Sequence, residues 1–425
     1  MGSDLDRPLR ICLLSYRSNP HSGGQGVYIK YLSKALKDLG HHVEVVAGPP
    51  GPHLDDGVAL HSIPCLDLYN PEDPFRTPRI GELYDPINYI EWIGTTTMGF
   101  PEPYTFGLRA LKYIKARRRD FDVIHDNQCL SHGIWRMNRY APTTITIHHP
   151  ITVDRRIAVQ SVRSPWKKLK NMRWYSFVGM QKRVARKFSN IITVSEFAAD
   201  DIAREFGVDR RKFRVAPNGI DVEHFRPLEG VQRRPRRLIV TNSADTPLKG
   251  LYYLLHAVHR VAQSAPVELT VVGKPKEKGV VERLVRELDL GRIVTFTGRI
   301  DDDEFLRQYA MASVAVAPSL YEGFGLPAGE AMACGLPVIS TTGGALPEVV
   351  GDAGVLVPPA DAEALAAAIV DLLDNPAKAA QLGRKGFERV HGQFTWRVAA
   401  RKTVDAYKET IREHRRLQPG QTSAR

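Results

Sequence analysis

Apolar strand-like runs and amphipathic helix-like runs alternate along this chain, and the alternation stops and begins again near its middle. The first block opens with LRICLLSY, the turn RSNPHSGGQG and then YIKYLSKALKDLG, in which Ile29, Leu32, Leu36 and Leu39 recur at helical spacing. HHVEVVAG follows as a second strand, and FDVIHD, TTITIHH, NIITVSE and FRVAPNGID continue the series between helical segments. After the charged link EHFRPLEGVQRRPRR, a second block runs RLIVTNS, LYYLLHAVHRVAQ, VELTVVG, a helix near 277–288, RIVTFTG, a helix near 302–311 and SVAVAPS. Strands joined by helices become parallel neighbours, because the helix carries the chain back to the edge from which the first strand began. The expectation is an α/β protein with two doubly wound, Rossmann-like parallel sheets and a boundary near residues 224–235. FTWRVAARKTVDAYKETIREH reads as a terminal helix, and the residues after Arg416 read as a disordered tail.

A chain of 425 residues with 43% hydrophobic residues can bury a core in each of two domains, which excludes disorder as the dominant state. Its net charge of +12 and pI near 9.5 point to anionic partners: nucleotide phosphates, an acidic membrane face or nucleic acid. Solvated helix faces account for much of that excess as well. No apolar run approaches the ~18 residues needed to cross a bilayer, and no secretion signal is recognisable. Cys12, Cys65, Cys129 and Cys334 stand far apart, without zinc or redox spacing. A cytoplasmic protein without cofactor or structural metal is expected.

Two segments resist the alternation. Residues 65–106 are rich in proline and aromatics and lack clean periodicity, and are read as a long, ordered loop that shapes a pocket. Residues 164–188 are basic and aromatic with no acidic residue. They fit either a peripheral contact with an anionic membrane or a long helix with Phe177, Met180 and Val184 facing the core.

The stretch SLYEGFGLPAGEAMACGLP, Ser319–Pro337, carries Glu322 and Glu330 with seven residues between them, just past the apolar run SVAVAPS. Ligands of open α/β sheets gather beyond such strand ends. Pro327 suits the first turn of a helix and Gly335 its end, so Glu330 is placed in or beside the first turn and Glu322 in the loop. Free N–H groups from Gly323 to Leu326 can hold anionic or hydroxyl oxygens, and a carboxylate accepts from the two hydroxyls of a vicinal diol. That unit suits a ligand with both phosphate and sugar. The alternative is that Glu330 complements the helix dipole and Glu322 is a solvated loop residue. Gly23 and Gly24 open a similar strand-to-helix turn in the first block, although glycine is common in any tight turn.

EGFGLPAGE followed by AMACGLPVISTTGGALPEVV resembles the donor-site signature of retaining GT-B-fold glycosyltransferases of the family four type, the group that includes phosphatidylinositol mannosyltransferases and bacterial glycogen synthases. GGQGVYIKYLSKAL, TIHHP at Thr146–Pro150, IITVSE, VAPNGID at Val215–Asp221 and LKG at Leu248–Gly250 agree in order, so the resemblance spans nearly the whole chain. It implies two Rossmann-like domains facing across a cleft: 1–228 for the acceptor, 229–394 for the nucleotide sugar, a helix 395–416 returning to the first, and a tail 417–425. It implies transfer of a hexose from a UDP- or GDP-sugar to a hydroxyl on a lipid, glycan or small molecule, with retention and without metal. Carried over by position, Glu330 binds the ribose, and Glu322 with the backbone of Gly323, Phe324, Gly325 and Leu326 holds the transferred sugar. Lys249 neutralises the diphosphate, and His148, with His149 beside it, lies near the transferred sugar; a histidine at a strand end is otherwise usually structural. The family commonly has an arginine five residues before the lysine, where this chain has Ala244; Arg299 is a candidate replacement, a nucleobase neighbour or simply exposed. A sugar phosphorylase or hydrolase, or a non-catalytic nucleotide-sugar or nucleic-acid binder, is the rival reading. A nicotinamide-dependent oxidoreductase is disfavoured because G-x-G-x-x-G is missing from the first turn.

Overall fold

The computed structural model describes residues 5–19, 24–70, 72–73, 75–241 and 246–417. The chain divides into two units, one of Met1–Val194, Ala198–Ala216 and Ala399–Arg425, the other of Ser195–Phe197 and Pro217–Val398. The main division therefore falls at Ala216, ahead of residue 228. Leu417 still belongs to the terminal helix, and the rest of the expected tail, 418–425, lies outside the described residues.

Among the described residues the first unit holds seven strands: β1 (Arg10–Ser15), β2 (His42–Ala47), β3 (Ala59–Ser62), β4 (Val123–Asn127), β5 (Thr143–Thr146), β6 (Ile191–Thr193) and β7 (Phe213–Val215). They lie in the order β3-β2-β1-β4-β5-β6-β7, every pair parallel. The second unit holds β8 (Arg237–Thr241), β9 (Glu268–Val272), β10 (Val294–Phe296), β11 (Val314–Ala317), β12 (Val338–Thr341) and β13 (Val355–Val357), ordered β10-β9-β8-β11-β12-β13 and again parallel. Both sheets start at an inner strand, wind outward and return to its other side. A crevice opens at the carboxyl ends of the two inner strands, where the connections diverge. The sequence did not single out β3, β12 and β13, which are three or four residues long.

Helices cover the sheets through apolar stripes. In the helix Leu251–Ala262, Leu251, Leu254, Leu255, Val258 and Val261 are buried and pack on the second sheet together with Leu365, Ile369 and Leu372 of the helix Ala362–Asp374. Local chemistry fixes their starts. The Asp361 carboxylate accepts from the N–H groups of Glu363 and Ala364, and Asp301 accepts from Glu304 at the head of the helix Asp302–Met311.

Residues 65–106 are not a loop throughout, and that expectation is corrected. They contain a 3-10 turn, Ile80–Tyr84, the helix Pro86–Thr96 and the start of the helix Glu102–Ala116. The helix Pro86–Thr96 escaped detection because its polarity is reversed. Its inner face carries Glu91, buried and paired with Arg109 at 2.5 Å, while Tyr89, Ile90 and Ile93 are exposed. Residues 164–188 are likewise not one helix but two, Pro165–Trp174 and Val178–Ala185, split by the 3-10 turn Tyr175–Phe177. Of the residues read as core-facing, Met180 and Val184 are buried and Phe177 only half-buried, and no residue of Pro165–Trp174 is buried.

The terminal helix, Trp396–Leu417, belongs to the first unit from Ala399 onward. The Tyr407 hydroxyl lies 2.6 Å from His125 Nδ1 in the middle of the buried strand β4, and Asn190 Nδ2 donates to Ala406 O and Thr410 Oγ1. His125 Nε2 is taken by Thr146 Oγ1, so removing the tyrosine hydroxyl strands a buried ring nitrogen. Tyr407→Phe should lower the unfolding free energy by about 1–3 kcal/mol in a urea melt. An unchanged midpoint would show that this bond contributes nothing net.

Candidate functional site

In the second unit, three loops at the carboxyl ends of β8, β11 and β12 meet around Glu322. Lys249 closes the 3-10 turn Pro247–Lys249, and its Nζ lies 2.6 Å from Glu322 Oε1. Ser319 Oγ donates to the same oxygen at 2.9 Å, and Ala345 N donates to the Glu322 carbonyl at 2.9 Å. The approach is close enough to demand glycine at two points. A Cβ on Gly250 (φ 70°) would sit 1.9 Å from Pro318 O, and one on Gly344 (φ 71°) would sit 2.2 Å from Glu322 O. Leu320 N donating to Leu248 O at 2.7 Å completes the seam. Glu322 is thus a fixed carboxylate in an ion pair, and the solvated-loop alternative does not describe it.

The helix Leu326–Ala333 starts immediately after Gly325. Among the described residues, the N–H groups of Gly323, Phe324, Gly325 and Leu326 have no acceptor. The Phe324 ring is buried against Phe394, so only the backbone of Phe324 can face a ligand. Glu330 is the fifth residue of this helix, beside its first turn, and Glu322 stays in the loop before it. Burial pushes its carboxyl up to about 7, with the Tyr309 hydroxyl 3.5 Å from Oε2 partly opposing the shift. No cation pairs with Glu330 among the described residues. A desolvated acceptor at that depth suits uncharged hydroxyl donors. Arg299 is exposed in the bend after β10 and has no partner among the described residues. Ala244 lies outside the described residues.

In the first unit, His148 follows β5. Its Nε2 lies 2.7 Å from Asn127 Oδ1, its N–H donates to Gln128 Oε1 at 2.9 Å, and the Tyr28 ring meets it edge-on at 4.6 Å. Burial, with His149 beside it, lowers His148 to about 3, so the ring is neutral at physiological pH. His149 pairs instead with Asp154 at 2.8 Å. Gly24 opens the helix Gly24–Asp38 and is exposed, while Gly23 lies outside the described residues.

Sequence reasoning missed Ser319, Tyr309, Asn127 and Tyr28. Asn127 left a trace, because FDVIHDN ends an apolar strand on polar residues that a parallel sheet buries. Tyr309 left none; it comes from another helix and only packing brings it to Glu330. Among the described residues no three His, Cys, Asp or Glu side chains cluster as metal ligands.

Known proteins resemble this chain over nearly its whole length. Residues 22–224 match the model of Glycosyltransferase Family 4, and residues 235–375 match that of Glycosyl transferases group 1. The chain is 47% identical to an MMP alpha-(1->4)-mannosyltransferase of Mycolicibacterium hassiacum, over 95% of this chain and 98% of the relative. It is 26% identical to a phosphatidyl-myo-inositol mannosyltransferase of Mycolicibacterium smegmatis, over 95% and 94%. Among solved structures, sucrose-phosphate synthase from Thermosynechococcus elongatus superposes with a TM-score of 0.69 at 25% identity, covering 96% of this chain and all of that one. Two doubly wound parallel sheets, the two matching family models and a near-full-length match at 47% identity to a mannosyltransferase make this chain a glycosyltransferase of family 4 with the GT-B fold.

Proposed function

We propose that this glycosyltransferase moves mannose from a nucleotide diphosphate mannose to the 4-hydroxyl of a sugar acceptor, with retention of the α configuration. The near-full-length identity to an enzyme named for an α-(1→4)-mannosyl product carries the proposal. An α-linked donor that yields an α-linked product reacts with retention. The donor lies at the carboxyl ends of β8 and β11: Glu330 accepts from the ribose diol, and the free N–H groups of Gly323–Leu326 with Glu322 hold the mannosyl hydroxyls. The diphosphate competes with Glu322 for Lys249, which neutralises the charge that grows on the leaving group. Arg299 is free to supply a second cation there or to meet the base, and Gly24 remains a candidate phosphate contact. Glu322, already paired and hydrogen-bonded, is a positioning and electrostatic group, not a nucleophile. The C1–O bond to the diphosphate breaks, the acceptor oxygen joins C1 on the same face, and its proton passes to the departing phosphate oxygen.

Assay with UDP- and GDP-linked glucose and mannose, each with and without EDTA, tests this directly. Turnover with a mannose donor that persists in EDTA is expected, and Lys249→Ala should lower kcat by on the order of a hundredfold. Transfer of glucose alone would overturn the sugar assignment, and dependence on added metal would overturn the metal-free one.

The Glu330 carboxyl gives the donor site a pH signature. It is mostly protonated at about pH 6 and ionised at about pH 8, and the diol binds the ionised form, so donor KM should fall about tenfold across that interval. The same shift stabilises the ligand-free fold below pH 4.5, the ordinary value, and that contribution is lost as pH rises through about 7. Glu330→Gln should flatten both profiles; a KM that stays steep in this variant would remove the ribose role from Glu330.

We also propose peripheral contact with an anionic membrane through the helix Pro165–Trp174. Trp166 is 62% exposed and Met172 57%, with Leu169 beside them, amid Lys167, Lys168, Lys170 and Arg173. Trp174 stacks on Phe100 and meets Tyr69 edge-on, which holds the helix against its own unit while its apolar side chains face outward. No described helix is long and apolar enough to cross a membrane. The protein should co-sediment with phosphatidylglycerol vesicles in low salt and lose this on neutralising the three lysines and Arg173. Binding that survives neutralisation would count against the contact.

A further inference from the structure

Asn127 is a buried amide that looks expensive where it stands. It ends β4 with no exposed surface, and its Nδ2 has no hydrogen-bond partner among the described residues, as is true of Oδ1 of its neighbour Asp126. An apolar side chain of the same shape would avoid that cost. What the amide does supply is one oxygen, Oδ1, 2.7 Å from His148 Nε2. His148 is neutral, so its ring carries a single N–H, and an oxygen acceptor facing Nε2 places the proton there. Nδ1 then keeps its lone pair and has no partner among the described residues.

We infer that Asn127 is the positioning residue that holds His148 as the Nε2–H tautomer, so that Nδ1 accepts a hydrogen bond from a sugar hydroxyl. The inference rests on the expectation that His148 lies near the transferred sugar. It excludes a phosphate or carboxylate as the partner of that nitrogen, since an anion brings no hydrogen to donate. The ring is also kept from turning. The Tyr28 edge lies against it, and the Tyr28 hydroxyl is 3.3 Å from Thr146 Oγ1, which in turn bonds His125. The Gln128 side chain fixes the His148 backbone.

The tautomer can be read without any substrate. In 15N-histidine-labelled full-length protein, with the His148 signals identified by their absence in His148→Ala, Nε2 should appear protonated and Nδ1 unprotonated at neutral pH. A proton on Nδ1 would overturn the inference and leave the glycosyltransferase reading intact. Asn127→Leu should release the tautomer, giving mixed signals, and lower kcat by roughly tenfold, the worth of one hydrogen bond, with a modest fall in Tm because His148 Nε2 loses its acceptor. An Asn127→Leu enzyme with wild-type kcat would equally sink the positioning role. Should the variant fold poorly, the wild-type spectrum still decides.

Discussion

The parallel hydrogen-bond ladder is the constraint from which the sites follow. A strand can join a parallel neighbour only after a helix has returned the chain, so every functional loop lies at the same edge of its sheet. Each sheet here begins at an inner strand, β1 or β8, and continues on its other side at β4 or β11. The connections leaving that pair of strands diverge and leave backbone uncovered between them. Lys249 follows β8 and Glu322 follows β11, so a pair 73 residues apart in sequence meets at 2.6 Å.

The two carboxylates of the second unit have been given opposite surroundings. Glu322 is held by a lysine, a serine hydroxyl and the backbone of a third loop, which fixes its direction. Among the described residues no cation pairs with Glu330, and burial raises its proton affinity and leaves it ready for neutral donors. Identical side chains eight positions apart thereby take different chemistry from burial and pairing. The first unit uses a related device on histidine: burial removes the charge from His148, and a neighbouring amide settles which nitrogen keeps the proton.

Much of this was legible beforehand because it is written in local pattern. The long strands read as apolar runs, the helix Leu251–Ala262 read through its stripe, and Pro327 with Gly335 bracketed the short helix that carries Glu330. Where the pattern is inverted, reading failed. The helix Pro86–Thr96 hides a glutamate and shows its isoleucines, so its periodicity points the wrong way and its inner arginine partner, Arg109, is visible only in three dimensions. Length alone did not decide which short strands were read: β6, β7 and β10 have three residues each and were found, whereas β12 and β13 were not.

By itself the sequence determined the α/β class, the two successive sheets, the loop-to-helix placement of Glu322 and Glu330, and the glycosyltransferase resemblance. All of these depend on residue types at fixed spacing along one stretch of chain. Only the tertiary structure decided that Lys249 pairs with Glu322, that Tyr309 approaches Glu330, that Asn127 reaches His148 and that Tyr407 closes on His125. Those contacts join separate strands and helices, and nothing in local pattern records them, because sheet order and packing set which strand ends become neighbours.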